Sequence, residues 1–334
     1  MRICVVGAGA IGGLLAARLA HAGEEVSVIA RGAHLKAIEA NGLSLIEEDG
    51  SRISARVRAT QKIPEAGPQD VVILGMKAHQ VADVLDDLPS LFTPETMVVT
   101  AQNGIPWWYF HKLPGPFEGR VVEAVDPGGR IAADLPSSRV IGTVVYPASE
   151  IVEPGVIKLI EGNRFSLAEI DGQKSERVSE LSDVLTRAGF KAPVVSDIRA
   201  EIWTKLWGNM SFNPISALTH ATLGSICRFP LTRKLAADMM REAQAVGEAL
   251  GVRFRIPIEK RIAGAEAVGE HKTSMLQDVE AGRFIELEAL MGSVVELGEV
   301  TGVPTPTISA IYACAKLLAE TLSIEKGRLR IEPA

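Results

Sequence analysis

The first 31 residues constrain this chain more than any other stretch. Arg2 to Val6 is a short apolar run rich in β-branched residues, which predicts a buried strand. Gly7-Ala8-Gly9-Ala10-Ile11-Gly12 follows at once, then Leu14 to Ala20, a run of good helix formers. Gly23 stops that helix, and Glu25 to Ala30 predicts a second strand. A Gly-x-Gly-x-x-Gly turn set between strand and helix, with another strand directly after, is the context of a dinucleotide site. Gly7 would permit the tight turn, Gly9 the approach of a pyrophosphate, and Gly12 close packing of helix on strand. The free N–H groups at the helix start would face the phosphates. Two other readings are a glycine-rich turn that binds nothing and a signal peptide, because Arg2, the apolar run and Ala20-His21-Ala22 imitate its layout. A second strand right after the would-be cleavage point argues against the latter.

The end of the second strand selects the dinucleotide. NAD sites usually place Asp or Glu there for the ribose 2′-hydroxyl, whereas here the chain has Ala30-Arg31-Gly32. An arginine matches a 2′-phosphate in charge and planar geometry, so NADP is expected, the alternative being a solvated loop arginine.

A length of 334 residues suggests two domains. Net charge of −6 argues against nucleic acid as a partner. No uninterrupted apolar run approaches about 18 residues, so no membrane span is expected. Cys4, Cys227 and Cys314 are too far apart to suggest a disulfide framework or a metal site, and a reduced cytoplasm fits.

Beyond Arg31 the pattern predicts a helix over 34–40, a hairpin around Glu48-Asp49-Gly50, and buried strands at 70–75 and 97–100, with a helix over 81–91 between them. Strands alternating with helices imply a parallel sheet with ligands beyond the carboxyl ends of its strands, where Lys77 and Asn103 fall. Trp107 to Phe110 would wall a pocket, form a lid or simply pack. Strands are expected at 121–125, 140–145, 156–160 and 165–168, and a helix at 175–188. From Ser196 on the pattern turns helical, which divides the chain into domains 1–196 and 197–334. A helix over 197–213 carries Lys205, Asn209 and Asn213 on one polar stripe, with Trp203, Leu206, Trp207 and Met210 on other faces, and Pro214 implies a kink or stop. Such a stripe lines a wet or liganded cleft or is a solvated face. Ser274 to Gln277 has the form of a capping box opening a helix, and a further helix over 286–299 would hold Glu286 in its first turn.

Together these residues resemble the ketopantoate reductases (2-dehydropantoate 2-reductases) over nearly the whole chain. The likeness rests on the glycine motif, Lys77, Gln102-Asn103-Gly104, Trp203-Thr204-Lys205-Leu206 with Asn209 and Asn213-Pro214, and Ser274 to Asp278 with Glu286. The resemblance implies an α/β N-terminal Rossmann domain and an all-α C-terminal domain like that of 6-phosphogluconate dehydrogenases, with NADPH and a cleft site between them. It implies that Lys205 is the proton donor, and that Asn103, Asn209, Asn213 and Ser274 bind substrate. Lys77, Asn103, Ala148 and Glu286 would contact the cofactor beside Gly7, Ala8, Gly9, Ala10, Ile11, Gly12 and Arg31. Two positions depart from the family: a substrate contact that is often Asn falls at Leu223, and Ile-Asp-x-x-Asn-Gly after the glutamate reads Leu287-Glu288-Ala289-Leu290-Met291-Gly292. These bear on which 2-oxo acid is reduced. A paralogue acting on another 2-oxo acid and a non-catalytic NADP-binding sensor are the competing readings, and a homodimer is allowed.

Overall fold

The computed structural model describes Met1–Lys326; residues 327–334 of the expected second domain lie outside the described residues. Two compact units are present, one of Met1–Val121 with Asp126–Ile198, the other of Val122–Val125 with the chain from Arg199 on.

The first unit is α/β. Its strands are β1 (Arg2–Val6), β2 (Glu25–Ile29), β3 (Leu43–Ile46), β4 (Arg52–Ala55), β5 (Arg58–Thr60), β6 (Gln69–Leu74), β7 (Phe92–Thr100), β8 (Val140–Val145), β9 (Ala148–Glu153), β10 (Val156–Glu161) and β11 (Phe165–Glu169). Seven form one sheet in the order β11-β8-β7-β6-β1-β2-β5, and four form a second in the order β4-β3-β10-β9. Six strands of the large sheet run parallel, and β11 is antiparallel to β8. Helices of this unit are α1 (Ala10–His21), α2 (Gly32–Asn41), α3 (Arg130–Asp134) and α4 (Glu176–Arg187). Ile3 to Val6 are almost wholly buried, as a strand covered on both faces requires. Helix α1 packs against strands of both sheets. Small residues make that possible: a Cβ on Gly13 would lie 2.7 Å from the Ile157 side chain of the second sheet.

Two elements expected within residues 1–196 take other forms. The helix over 81–91 is replaced by short 3₁₀ turns at Ala82–Val84 and Leu88–Leu91, the latter opened by Pro89, which has no N–H for a helical bond. Val121 to Val125 is not a strand. Val122 and Val125 are buried, and the N–H groups of Glu123 and Ala124 donate to the Glu296 carboxylate at 2.9 and 2.8 Å. A side chain thus satisfies the backbone in place of a neighbouring strand.

The second unit is helical: α5 (Ile198–Thr219), α6 (Leu223–Arg228), α7 (Pro230–Ala249), α8 (Ile258–Val268), α9 (Ser274–Glu280), α10 (Ser293–Thr301) and α11 (Pro306–Ile324). Helix α5 does not stop at Pro214 but runs through it to Thr219. An interior proline costs about 3 kcal/mol. Burial of Phe212, Ile215 and Ala217 around it, all within 2% of full burial, offsets that cost. Helix α11 is 19 residues long and apolar enough by length and composition to cross a membrane, although Lys316 and Glu320 interrupt it. Only Ile308, Ala315 and Leu322 of it are buried.

Candidate active site

The glycine motif of the first unit forms a backbone cradle at the carboxyl end of β1. Gly7 has φ +98°, a conformation that favours glycine, and its N–H and that of Ala8 both donate to the Ile29 carbonyl, at 3.2 and 3.1 Å. A side chain on Gly12 would collide with the Gly7 carbonyl oxygen and meet Val5 Cγ1 at 3.0 Å, so glycine is needed there for α1 to rest on the turn. Gly9 differs. A Cβ on it would find its nearest neighbour, the Gly75 carbonyl oxygen, 4.0 Å away. Nothing inside the protein requires glycine at that position, and the open space suits close approach of a phosphate. Ala10, Ile11 and Gly12 form the first turn of α1 behind the cradle.

Gly7, Ala8 and Gly9 share a groove with Arg31, His34, Gln61, Met76, Gln80, Asp83 and Asp87. Arg31 is exposed and is the N-cap residue of α2, which no side chain caps. The groove therefore offers an anion a guanidinium beside a helix start, with the carboxylates of Asp83 and Asp87 exposed to solvent and screened by it. These features fit a dinucleotide with a 2′-phosphate. Lys77 and Asn103 follow the carboxyl ends of the adjacent strands β6 and β7, on the sheet edge where Gly7 follows β1, but neither lines the groove. Ala148, the first residue of β9, is also outside its lining. Trp107 to Phe110 are all buried, Trp108 donating to Thr100 at 3.0 Å; they pack the first unit and do not form an exposed lid.

In the second unit α5 carries the polar stripe. Trp203, Leu206, Trp207 and Met210 are at most 1% exposed, and Phe254 stacks on Trp207 with ring centroids 4.3 Å apart. With that face anchored, Lys205 and Asn209 remain partly accessible, while Asn213 is buried. Burial pushes the Lys205 ammonium down to about 8, and the Glu286 carboxylate opposes that shift. A lysine so poised is ready to give up a proton near neutral pH.

Two local expectations are corrected here. The cap of α9 is Thr273, whose hydroxyl accepts from the Leu276 N–H at 3.2 Å; Ser274 is the first helical residue, and its exposed side chain caps nothing. Glu286 is not in a first helical turn. It lies in an irregular segment ahead of a π-helical turn, Glu288–Gly292, from which α10 continues. A helix dipole therefore does not account for Glu286, whose carboxylate favours the charged form of Lys205. Of the departures noted in the sequence, Met291 is fully buried, whereas Leu223 is half-buried at the start of α6.

A residue that no sequence signal marks is Arg261 of α8. Its guanidinium occupies the space a side chain on Gly208 would fill, so a second cation rests against the turn of α5 that carries Lys205 and Asn209. His34, Gln61, Gln80, Asp83 and Asp87 of the groove are likewise not marked by any motif.

Models of two domains match the chain: "Ketopantoate reductase PanE/ApbA" over residues 3–172 and "Ketopantoate reductase PanE/ApbA C terminal" over residues 197–319. This chain belongs to the ketopantoate reductase family. Among curated relatives, the 2-dehydropantoate 2-reductase of Mesorhizobium japonicum is 56% identical over 98% of the chain and 99% of its own length. That of Pyrococcus horikoshii is 29% identical over 95% and 97%. A Ralstonia solanacearum crystal structure with a provisional ketopantoate reductase assignment is 43% identical, with a TM-score of 0.91 over 96% of this chain and 98% of that one. D-Mandelate dehydrogenase, solved with NADH and anilino(oxo)acetate, shares the fold at 22% identity and a TM-score of 0.82, covering 97% of this chain and all of that one. In ketopantoate reductases the α/β unit and the helical unit seen here make up the family fold.

Proposed function

We propose that this chain reduces 2-dehydropantoate (ketopantoate) to pantoate with NADPH, and that residues 1–196 and 197–334 act as its cofactor and substrate domains. The observation that carries the reading is Lys205: a partly buried lysine with a pKa of about 8, on a polar stripe, beside a carboxylate. NADPH, when bound, supplies the hydride. The Gly7-Ala8-Gly9-Ala10-Ile11-Gly12 cradle holds its pyrophosphate and Arg31 its 2′-phosphate. Lys77, Asn103, Ala148 and Glu286 complete the cofactor contacts.

Lys205 donates a hydrogen bond from its ammonium to the keto oxygen and protonates it as negative charge grows there. Burial makes that proton easier to release at neutral pH, and Glu286 keeps enough of the lysine charged to act. Asn209 and Asn213 hold polar groups of the substrate, with Asn103 shared between substrate and cofactor. Ser274, whose hydroxyl is exposed at the start of α9, binds the carboxylate.

Leu223 favours a second reading, in which a 2-oxo acid with a more apolar tail is preferred. One experiment separates these readings from a sensor that binds NADPH without chemistry. NADPH oxidation is followed across a panel of 2-oxo acids, and ketopantoate is expected to give the highest kcat/KM. No turnover with any member would leave only the sensor; a better apolar substrate would favour the second reading.

We also read the chain as a cytoplasmic homodimer. Cys4 and Cys227 are buried free thiols, which suits a reducing compartment. The apolar α11, with few residues buried and Leu317 and Ile324 at 64% and 70% exposure, is a surface a second copy would cover. Light scattering on the purified protein checks the dimer; a monomeric mass at all concentrations would remove it.

A further inference from the structure

The His34 ring lies between two backbone groups of different elements. Its Nε2 is 2.8 Å from the Ala8 carbonyl oxygen, and the Gly155 N–H donates to its Nδ1 at 3.0 Å. An N–H bonds only an unprotonated ring nitrogen, so the proton sits on Nε2 and that N–H donates to Ala8. Gly155 belongs to the turn between β9 and β10, which packs on α2: a Cβ there would be 3.1 Å from that of Ala37. The ring thus ties the glycine motif to α2 and to the second sheet.

Ala8 is held at both ends, its N–H by Ile29 at 3.1 Å and its carbonyl by His34. Carbonyl and following N–H share one rigid trans plane and point in opposite directions. Holding the Ala8 carbonyl therefore aims the Gly9 N–H away from the ring. Without that hold the plane is free to flip, because Gly9 tolerates conformations closed to other residues. A flipped plane would present a carbonyl where the cradle needs a donor.

We propose that His34 is a positioning residue for the dinucleotide: it locks the Ala8–Gly9 peptide in the donor-outward orientation and acts on cofactor affinity through that peptide. The inference rests on the reading that NADPH lies in this groove. It separates His34 from Arg31, three residues earlier in the chain. Arg31 would recognise the 2′-phosphate, present in NADPH alone, whereas the cradle faces the pyrophosphate that NADPH and NADH share.

The test is the dissociation constant of NADPH and of NADH by fluorescence titration, with thermal melting of each variant. His34→Met fills similar space without either bond and is expected to raise both constants by the same factor, about tenfold, the scale of one lost charge-assisted hydrogen bond. His34→Gln supplies one amide donor and one carbonyl acceptor and is expected to restore most of the affinity for both cofactors. The inference is overturned if His34→Met weakens NADPH alone, which would make His34 a 2′-phosphate ligand. It is overturned equally if neither constant changes, or if a stably folded His34→Gln binds as poorly as His34→Met. Gly9→Ala serves as the reference for the groove. If it weakens NADPH while His34→Met does not, the groove reading stands and the role of His34 falls; if neither weakens it, both fall.

Discussion

Lys205 and Glu286 interact as opposite charges within the helical unit, the lysine from the middle of α5 and the glutamate from an irregular segment far along the chain. Burial lowers the lysine to about 8, and the carboxylate limits how far it falls. The pair sets the pH range in which this buried amine stays charged.

That balance predicts a pH profile. The acid form of Lys205 is charged below about 8 and is lost above it, so kcat/KM for the 2-oxo acid should decline as pH rises through that value. Glu286→Gln removes the group that favours the charged form and should move the alkaline limb to lower pH. An unmoved limb, measured with saturating NADPH, would detach Glu286 from the proton donor.

Lys205→Ala should lower kcat by about 10²–10⁴-fold, the range of positioned acid catalysis, while NADPH still binds. Lys205→Arg should recover little, because guanidinium keeps the charge but holds its proton far more tightly. Turnover and cofactor titration on both variants decide the matter. Near-normal turnover in Lys205→Ala would remove this residue from the chemistry.

The same lysine should cost stability. Unfolded, it binds its proton up to the ordinary 10.5; folded, it releases it at about 8. Between those values the unfolded chain holds more protons, so this group makes stability increase as pH rises from 8 to 10.5. Lys205→Met should raise Tm at pH 7 by about 2–4 °C, the shift expected for roughly 1 kcal/mol in a domain of this size. Calorimetry of the variant against the natural protein checks both sign and size.

Two glycines of one motif should fail differently. Gly12→Ala forces a methyl into the Gly7 carbonyl and should lower Tm sharply or prevent folding. Gly9→Ala meets nothing closer than 4.0 Å and has φ −67°, which alanine adopts freely, so its Tm should be near normal. Its NADPH affinity should fall at least tenfold, because the methyl occupies space left for the pyrophosphate. Melting curves and titrations distinguish the two; a Gly9→Ala protein that binds normally would contradict the cradle.

Arg31→Asp should reverse or erase a preference for NADPH over NADH, by about 1–3 kcal/mol for a lost charge-assisted contact. The ratio of kcat/KM for the two cofactors measures it. An unchanged ratio would return Arg31 to the solvent.

The α/β first half and the helical second half were legible because they rest on local pattern. A β-branched run ending in Gly7-Ala8-Gly9-Ala10-Ile11-Gly12 has few ways to fold, and the apolar faces of α5 and α1 follow from residue spacing alone. Family membership was equally legible, since its motifs are short and contiguous. Some errors are local, such as the helix expected over 81–91, which Pro89 interrupts; others lie where a distant residue decides. Val121 to Val125 reads as a strand, but Glu296 takes its N–H groups. A helix beginning at Glu286 fits the pattern, yet the first turn is π-helical and begins at Glu288. There the carboxylate of Glu288 accepts from Tyr312 at 2.7 Å and Lys316 at 2.6 Å, and Gly292 leaves room for it.

Most of the secondary-structure plan, the glycine turn after β1 and a lysine on a polar helix stripe were readable from residue order, because each depends on neighbours within about a turn of helix or a strand's length. The proton affinity of that lysine, the peptide that His34 holds and the contact of Arg261 with Gly208 came instead from the folded arrangement. Burial and charge act through space, between residues that the chain brings together only after it has folded.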